Sequence, residues 1–167
     1  MVVFEIQSSD LPTLPGTYAL VLSAALSSDV EIGKLGTLAL MPGFYLYIGS
    51  AFGFGGLKAR LAHHGKIATR PHWHIDYLRP KTSLESIWYS CDAKKREHLW
   101  AEVASEMPGA TVLLARFGAS DCSCVAHLFY FEQILRDACF KEILFLRSPD
   151  HGPIRKAVGG SLADSLR

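Results

Sequence analysis

Between Pro15 and Ala51 the chain is cut into short β-rich runs by glycine and proline corners, and this segmentation limits the fold more than any other feature. Thr17–Leu22 follows Pro15-Gly16 and reads as a strand entering a core. Residues 29–40 read as two short strands about the Gly33–Gly36 turn, Pro42-Gly43 marks the next corner, and Phe44–Ile48 is a further strand. From Leu57 to His64 the pattern changes to a helical one. Leu57 and Leu61 fall on one face, and Arg60 and His64 together on another. The spacing further predicts a short helix over 72–78 ended before Pro80, a strand over 84–90, a helix over 94–107, a strand over 111–115, a loop over 118–124 and a strand over 127–131. The expected fold class is α/β (α+β), with a small mixed, mainly antiparallel sheet flanked by helices and a β-hairpin inserted between two of its strands.

With 167 residues and 49% hydrophobic content, one compact domain can form without disulfide staples. Residues 1–131 are expected to hold the functional core, within 15–131. Residues 132–167 are expected to form a C-terminal extension, partly helical and not an independent domain, with no structure assigned to its last dozen residues. Seventeen Lys and Arg against sixteen Asp and Glu give a net charge of +1, so any nucleic-acid binding must come from a local patch. The first residues carry no basic segment ahead of an apolar run, and no run approaches a membrane span; neither a secretory signal nor a membrane partner is expected. Cys91, Cys122, Cys124 and Cys139 do not form a secreted disulfide framework, which points to a reducing cytoplasm.

The glycines at 49, 53, 55 and 56 suggest a phosphate cradle, but the known cradles fail in detail. Gly56 is followed by Leu57 and Lys58, not by the Lys-Ser/Thr of a nucleotide-triphosphatase loop, and the spacing is wrong for a dinucleotide fingerprint. What survives is general: glycine backbone can approach a phosphate closely, and a helix starting at Leu57 offers unpaired N–H groups to an anion. A plain surface turn is the competing reading.

Longer strings narrow the choice. The sequence GTYAL at 16–20, GFYLYIGSAFGFGGL at 43–57, ARLAHH at 59–64, HWHIDYL at 72–78, Glu97 and GASDCSCVAHLFYF at 118–131 occur in this order. Together they resemble the GIY-YIG endonuclease superfamily, and within it the uncharacterised Uri-type branch related to segments fused to endonuclease III glycosylases. Thr17 stands in place of the isoleucine of the first motif, Ala126 in place of a usual serine, and residues 132–167 have no counterpart.

The resemblance implies metal-dependent hydrolysis of phosphodiester bonds in DNA, in repair or processing of structured or damaged DNA, with a possible link to a base-excision glycosylase of the endonuclease III type. It implies one divalent ion, Mg²⁺ or Mn²⁺, held by a single glutamate. A lone carboxylate suits Mg²⁺, which keeps several waters and shares substrate oxygens, and Glu97 is the candidate. Arg60 becomes the phosphate clamp because its planar fork can hold two phosphoryl oxygens. Tyr18 and Tyr47 become the pair that positions or deprotonates the attacking water, although a phenol near pKa 10 needs help from a cation to act as a base. His64 and His72 are candidates for proton donation to the leaving oxygen. Gly49, Ser50, Gly56, Lys58 and Asp76 are candidate substrate-binding residues, and Asp76 could instead orient a histidine or cap its helix.

Each of these residues also has an ordinary reading, as packing tyrosines, solvated helix charges or a capping carboxylate. A rival metal site is Cys122, Cys124 and His127, which could hold zinc with Cys91 or another histidine as a fourth ligand. Against it, structural zinc sites favour two or more residues between paired cysteines. The alternative function is a non-catalytic nucleic-acid-binding or zinc-binding module on the same fold.

Overall fold

The second strand carries apolar side chains on both of its faces, and this arranges everything around it. In the computed structural model, which describes residues 5–6 and 11–158, β2 (Gly16–Ala24) is buried along nearly its whole length. Because successive side chains on a strand point to opposite faces, Tyr18, Leu20 and Leu22 enter one core while Ala19 and Val21 enter another. A strand with two buried faces must lie inside a layered sheet.

That sheet has six strands in the order β1-β8-β6-β2-β5-β7. They are β1 (Glu5–Ile6), β2, β5 (Gly43–Ala51), β6 (Ser83–Ser90), β7 (Leu128–Phe131) and β8 (Arg155–Val158). All neighbours are antiparallel except β1 and β8, which run parallel. The hairpin β3 (Ser28–Ile32) and β4 (Gly36–Leu40) lies between β2 and β5 in sequence and pairs only with itself. One face of the sheet is covered by this hairpin with α1 (Gly56–Gly65) and α2 (His74–Leu78), whose Leu57, Leu61, Ile75 and Leu78 are fully buried. The other face is covered by α3 (Glu97–Glu106) and α4 (Asp137–Arg147), where Trp100 and Phe140 pack edge to face. The fold is thus the expected α+β class, with the inserted hairpin in place. No helix among the described residues is long and apolar enough to cross a membrane.

Local details depart from the sequence expectation for identifiable reasons. The short helix expected over 72–78 ends at Leu78 but starts only at His74, and it is followed by a separate 3₁₀ turn, Arg79–Lys81, with Pro80 near its start where no N–H is needed. The helix expected from Lys94 begins only at Glu97. The Asp92 carboxylate accepts from Lys94 N at 3.0 Å and from the Arg96 guanidinium at 3.0 Å, holding 92–96 as a turn. The strand expected over 111–115 shrinks to a single bridge between Thr111 and Tyr130, because the chain turns away and reaches Arg116 in the left-handed region at φ 69°. The C-terminal segment is more than an appendage, since α4 completes one core and β8 adds a strand beside β6. The rest of the tail, from residue 159, lies outside the described residues.

Candidate functional site

The start of β2 and the end of β5 lie side by side, and the motif residues meet there. In the β2–β5 ladder Tyr18 stands opposite Gly49, and Leu20 opposite Tyr47, so both tyrosines occupy the same sheet face. Gly49 is required by this pairing: a Cβ built on it would lie 2.4 Å from the Tyr18 hydroxyl. Gly16 is required in the same way, since its Cβ would meet the Ser90 carbonyl at 2.2 Å and Leu57 at 2.7 Å. The motif glycines are therefore packing positions that let aromatic and helical neighbours close on the sheet.

The Tyr18 hydroxyl lies 2.6 Å from His64 Nε2, a hydrogen bond inside the core. His64 is itself buried, and its Nδ1 has no hydrogen-bond partner among the described residues. Burial, with lesser repulsion from His63 and opposition from Asp76, pulls the His64 pKa down to about 3. His64 is thus a neutral ring behind Tyr18 and is not among the residues that line the cleft; the proton-donor role expected from its ordinary pKa does not fit its place. Burial also raises the Tyr18 phenol well above its usual value, with Tyr47 adding to the effect and Arg60 opposing it. Tyr47 is raised as well, by burial first and the Glu97 carboxylate second, again against Arg60.

Arg60 and Trp73 form the next wall. The guanidinium carbon sits 4.2 Å from the Trp73 ring centroid, a cation–π stack, and no ion pair among the described residues occupies Arg60. Trp73 is placed by Asp76, whose carboxylate accepts from His72 N at 2.9 Å, Trp73 N at 3.0 Å and His63 Nε2 at 2.9 Å. Burial works to raise the Asp76 carboxyl, but these donors outweigh it and leave it below its ordinary value. Asp76 is therefore committed to capping α2 and holding His63, and it is not among the residues that line the cleft.

Glu97, at the first turn of α3, faces this wall from the opposite layer. Its side chain is 17% exposed, with Ser50 Oγ at 3.2 Å, His127 Nδ1 at 3.5 Å and Lys95 Nζ at 3.9 Å. Burial raises its carboxyl, yet His127, Lys95 and Ser50 together bring it below the ordinary value, so it is a carboxylate at neutral pH. The helix N-terminus supports the same charge.

Between these walls lies a polar cleft of about 450 Å³, lined by Tyr18, Tyr47, Gly49, Ser50, Arg60 and Glu97 and rimmed by His72, Lys95, His98 and Cys122. His72 is exposed on the rim. A second groove of about 480 Å³ lies near the β7 edge, but its walls are mainly apolar and no cluster of converging titratable groups lines it.

Two expected anion contacts do not form. Gly56 is buried against residues 13–14, where a Cβ would meet the Thr13 carbonyl at 2.1 Å. The α1 N-terminus is occupied too: Leu57 N donates to Leu14 O and Lys58 N to Pro12 O, both at 2.9 Å. With these donors satisfied by the protein, a phosphate cannot be cradled there, and the Lys58 side chain is exposed outside the cleft.

Sequence reasoning missed three contributors. His74 Nδ1 accepts from Gly118 N at 2.8 Å and pins the 118–127 loop to α2. Trp73 supports Arg60 at the cleft. His98, on α3, has a ring nitrogen within 4.8 Å of the Cys122 and Cys124 sulfurs. The histidine content of HWHIDYL was a signal for the first of these; the third needed the three-dimensional return of the loop to α3.

A small α+β domain with paired tyrosines, a stacked arginine and a half-buried carboxylate around one polar cleft is the class that fold and site define. A family model described as Domain of unknown function DUF123 matches residues 17–145, and the chain belongs to that family. Comparison with curated proteins and with solved structures returned no significant match.

Proposed function

We propose that the chain is a metal-dependent endonuclease of the GIY-YIG type, Uri branch, hydrolysing phosphodiester bonds in DNA during repair or processing of structured or damaged DNA. The observation that carries this reading is the convergence of Tyr18, Tyr47, Arg60 and Glu97, from β2, β5, α1 and α3, on one cleft. Its lining also carries Lys95, so Arg60 and Lys95 stand in the cleft against Glu97 and Asp121.

The donor set fits a hard divalent ion. Glu97 is deprotonated, partly open to solvent and beside a hydroxyl, and such a single carboxylate suits Mg²⁺ or Mn²⁺. When bound, the ion supplies electrophilic stabilisation of the phosphoryl oxygens and a lowered pKa for water. The Arg60 guanidinium, held over the Trp73 ring, binds two phosphoryl oxygens and stabilises charge that grows there. Tyr18 and Tyr47 enter as neutral phenols. His64 fixes the Tyr18 ring, and the two hydroxyls orient the attacking water. Arg60 lowers both phenol pKa values, against burial. A link to an endonuclease III-type glycosylase rests on the sequence resemblance alone.

A nicking assay on supercoiled, mismatched and single-stranded DNA with Mg²⁺ or Mn²⁺ tests the proposal. Cleavage by the wild type and its loss in Arg60→Ala support it; identical behaviour of the two on every substrate ends it. One observation favours a second reading. Burial holds both phenols protonated, as in a module that binds DNA without cutting it, and binding that depends on Arg60 without cleavage would select that reading.

A further inference from the structure

The loop between Arg116 and His127 is built more tightly than a connector needs. Arg116 N donates to Val125 O at 2.7 Å, His127 N donates to Phe117 O at 2.7 Å, and the Arg116 guanidinium donates to Cys124 O at 2.7 Å. These bonds turn Cys122 and Cys124 back toward α3. There the two sulfurs and a ring nitrogen of His98 all lie within 4.8 Å of one another. Both cysteines are free thiols, partly exposed, and His98 is exposed, so an ion can reach all three.

We propose that His98, Cys122 and Cys124 form a second metal site, selective for a soft ion and filled by Zn²⁺, that clamps the 116–127 loop to α3. The spacing objection raised by a single residue between the cysteines does not hold here, because the sulfurs converge despite it. Tetrahedral bonds of about 2.3 Å to sulfur and about 2.1 Å to nitrogen place ligand atoms roughly 3.5–3.8 Å apart. With all three atoms within 4.8 Å of one another, the contraction needed is at most about 1 Å, within reach of a cysteine or histidine rotamer adjustment. Two thiolates and an imidazole discriminate against Mg²⁺ and Mn²⁺, which the oxygen set at Glu97 suits, so the two sites differ in the ion they take. The fourth position is left to water.

His127 is the neighbour that gives the site a consequence. Its Nε2 is 3.4 Å from Cys122 Sγ, while its Nδ1 faces Glu97 Oε1 at 3.5 Å. Fixing Cys122 fixes the ring that holds Glu97, so the zinc orders one wall of the cleft. The site does not rest on the nuclease reading, since its ligands and its readout are independent of cleavage.

The test uses the full chain, purified under reducing conditions and stripped with a chelator, then titrated with Zn²⁺ and with Co²⁺ as a spectroscopic stand-in. The expected result is one ion per chain, a thiolate-to-cobalt charge-transfer band with intense tetrahedral d–d absorption, and a rise in thermal midpoint on adding Zn²⁺. Losing one of the three ligands should weaken Zn²⁺ binding by about 100-fold or more. Cys124→Ser and His98→Gln should both show this and lose the zinc-dependent rise in midpoint, a readout that also shows that each variant has folded. Cys91→Ser and Cys139→Ser should bind as the wild type does. Substoichiometric zinc, a cobalt complex without the charge-transfer band, unchanged binding in Cys124→Ser or His98→Gln, or a Cys122–Cys124 disulfide in the reduced preparation would each overturn the proposal.

Discussion

Gly49 leaves the space that the Tyr18 ring fills: the hydroxyl lies 2.4 Å, and the ring carbon that bears it 2.5 Å, from where a Cβ at position 49 would stand. The two residues face each other across the β2–β5 ladder, so neither strand can slide to relieve the overlap without breaking its register. Gly49→Ala should therefore destabilise the domain by about 1–3 kcal/mol. In a Tyr18→Val background the same substitution should cost much less. A double-mutant cycle by chemical denaturation measures the difference, and additive effects would mean that the strands relax in some other way.

Acid should weaken the fold from a higher pH than carboxylates alone would dictate. His64 titrates near 3 in the folded chain and near its ordinary 6.5 when unfolded. Between those values the unfolded chain binds a proton that the folded chain refuses. This contribution to stability is complete above about pH 6.5 and is lost progressively toward pH 3. The groups around His64 are Tyr18, Tyr47, Arg60, His63, Asp76 and Arg79. His74 and His151, also lowered by burial, add in the same direction. Asp76, lowered in the fold, stabilises above its ordinary value and loses that effect only in stronger acid. Denaturation midpoints between pH 7 and 5 should fall in the wild type and fall less in His64→Gln.

Asp76→Asn should loosen α2 and the cleft together. The neutral amide keeps the shape but weakens three bonds made to a carboxylate, to His72 N, Trp73 N and His63. A loss of about 1–3 kcal/mol is expected, with faster amide exchange at residues 72–74 as the local signature. Unchanged exchange there would show that the packing of Ile75 and Leu78 holds the helix without its cap.

Arg60→Lys retains the charge and removes both the planar fork and the guanidinium's contact with the Trp73 ring. Losing a charge-assisted bond worth about 1.5–3 kcal/mol should weaken DNA binding or turnover by about 10–100-fold. Trp73→Leu should show a smaller loss of the same kind. Equal activity of Arg60→Lys and wild type would take Arg60 out of the phosphate-binding role.

Glu97→Gln should abolish metal-dependent cleavage and leave the thermal midpoint within about 1 kcal/mol of wild-type stability. The carboxylate is partly exposed and its neighbours Ser50 and Lys95 have access to water. Full activity in this variant would reassign the metal ligand.

The sequence made the motif strands, the hairpin and α1 readable because each is bounded by its own glycine or proline corner and carries its own periodicity. Tyr18, Tyr47, Arg60 and Glu97 could be named because ordered strings surround them. What could not be read was the direction of polar groups after packing. Asp76 and His64 are ionisable and follow a helix period, yet one is consumed by backbone donors and the other by Tyr18. The α1 N-terminus looked open because the segment that fills it, Pro12–Leu14, has no local pattern announcing that its carbonyls would turn inward. His98 stayed hidden for the same reason, as its partners lie on a loop that returns to α3 only in three dimensions.

The position of β8 bears on how the molecule comes into being. It is slotted between β6 and β1, with Lys156 beside both Trp88 and Glu5. During synthesis β1 therefore waits for β8 until residues 155–158 have been made, and β6 meanwhile presents a bare hydrogen-bonding edge. The tyrosine cleft, assembled from residues up to 127, can form before that edge is closed. The seam between β6 and β1 is thus sealed only once residues 155–158 are available, and a ribosome stalled ahead of Arg155 would hold a formed cleft on an unfinished and adhesive sheet.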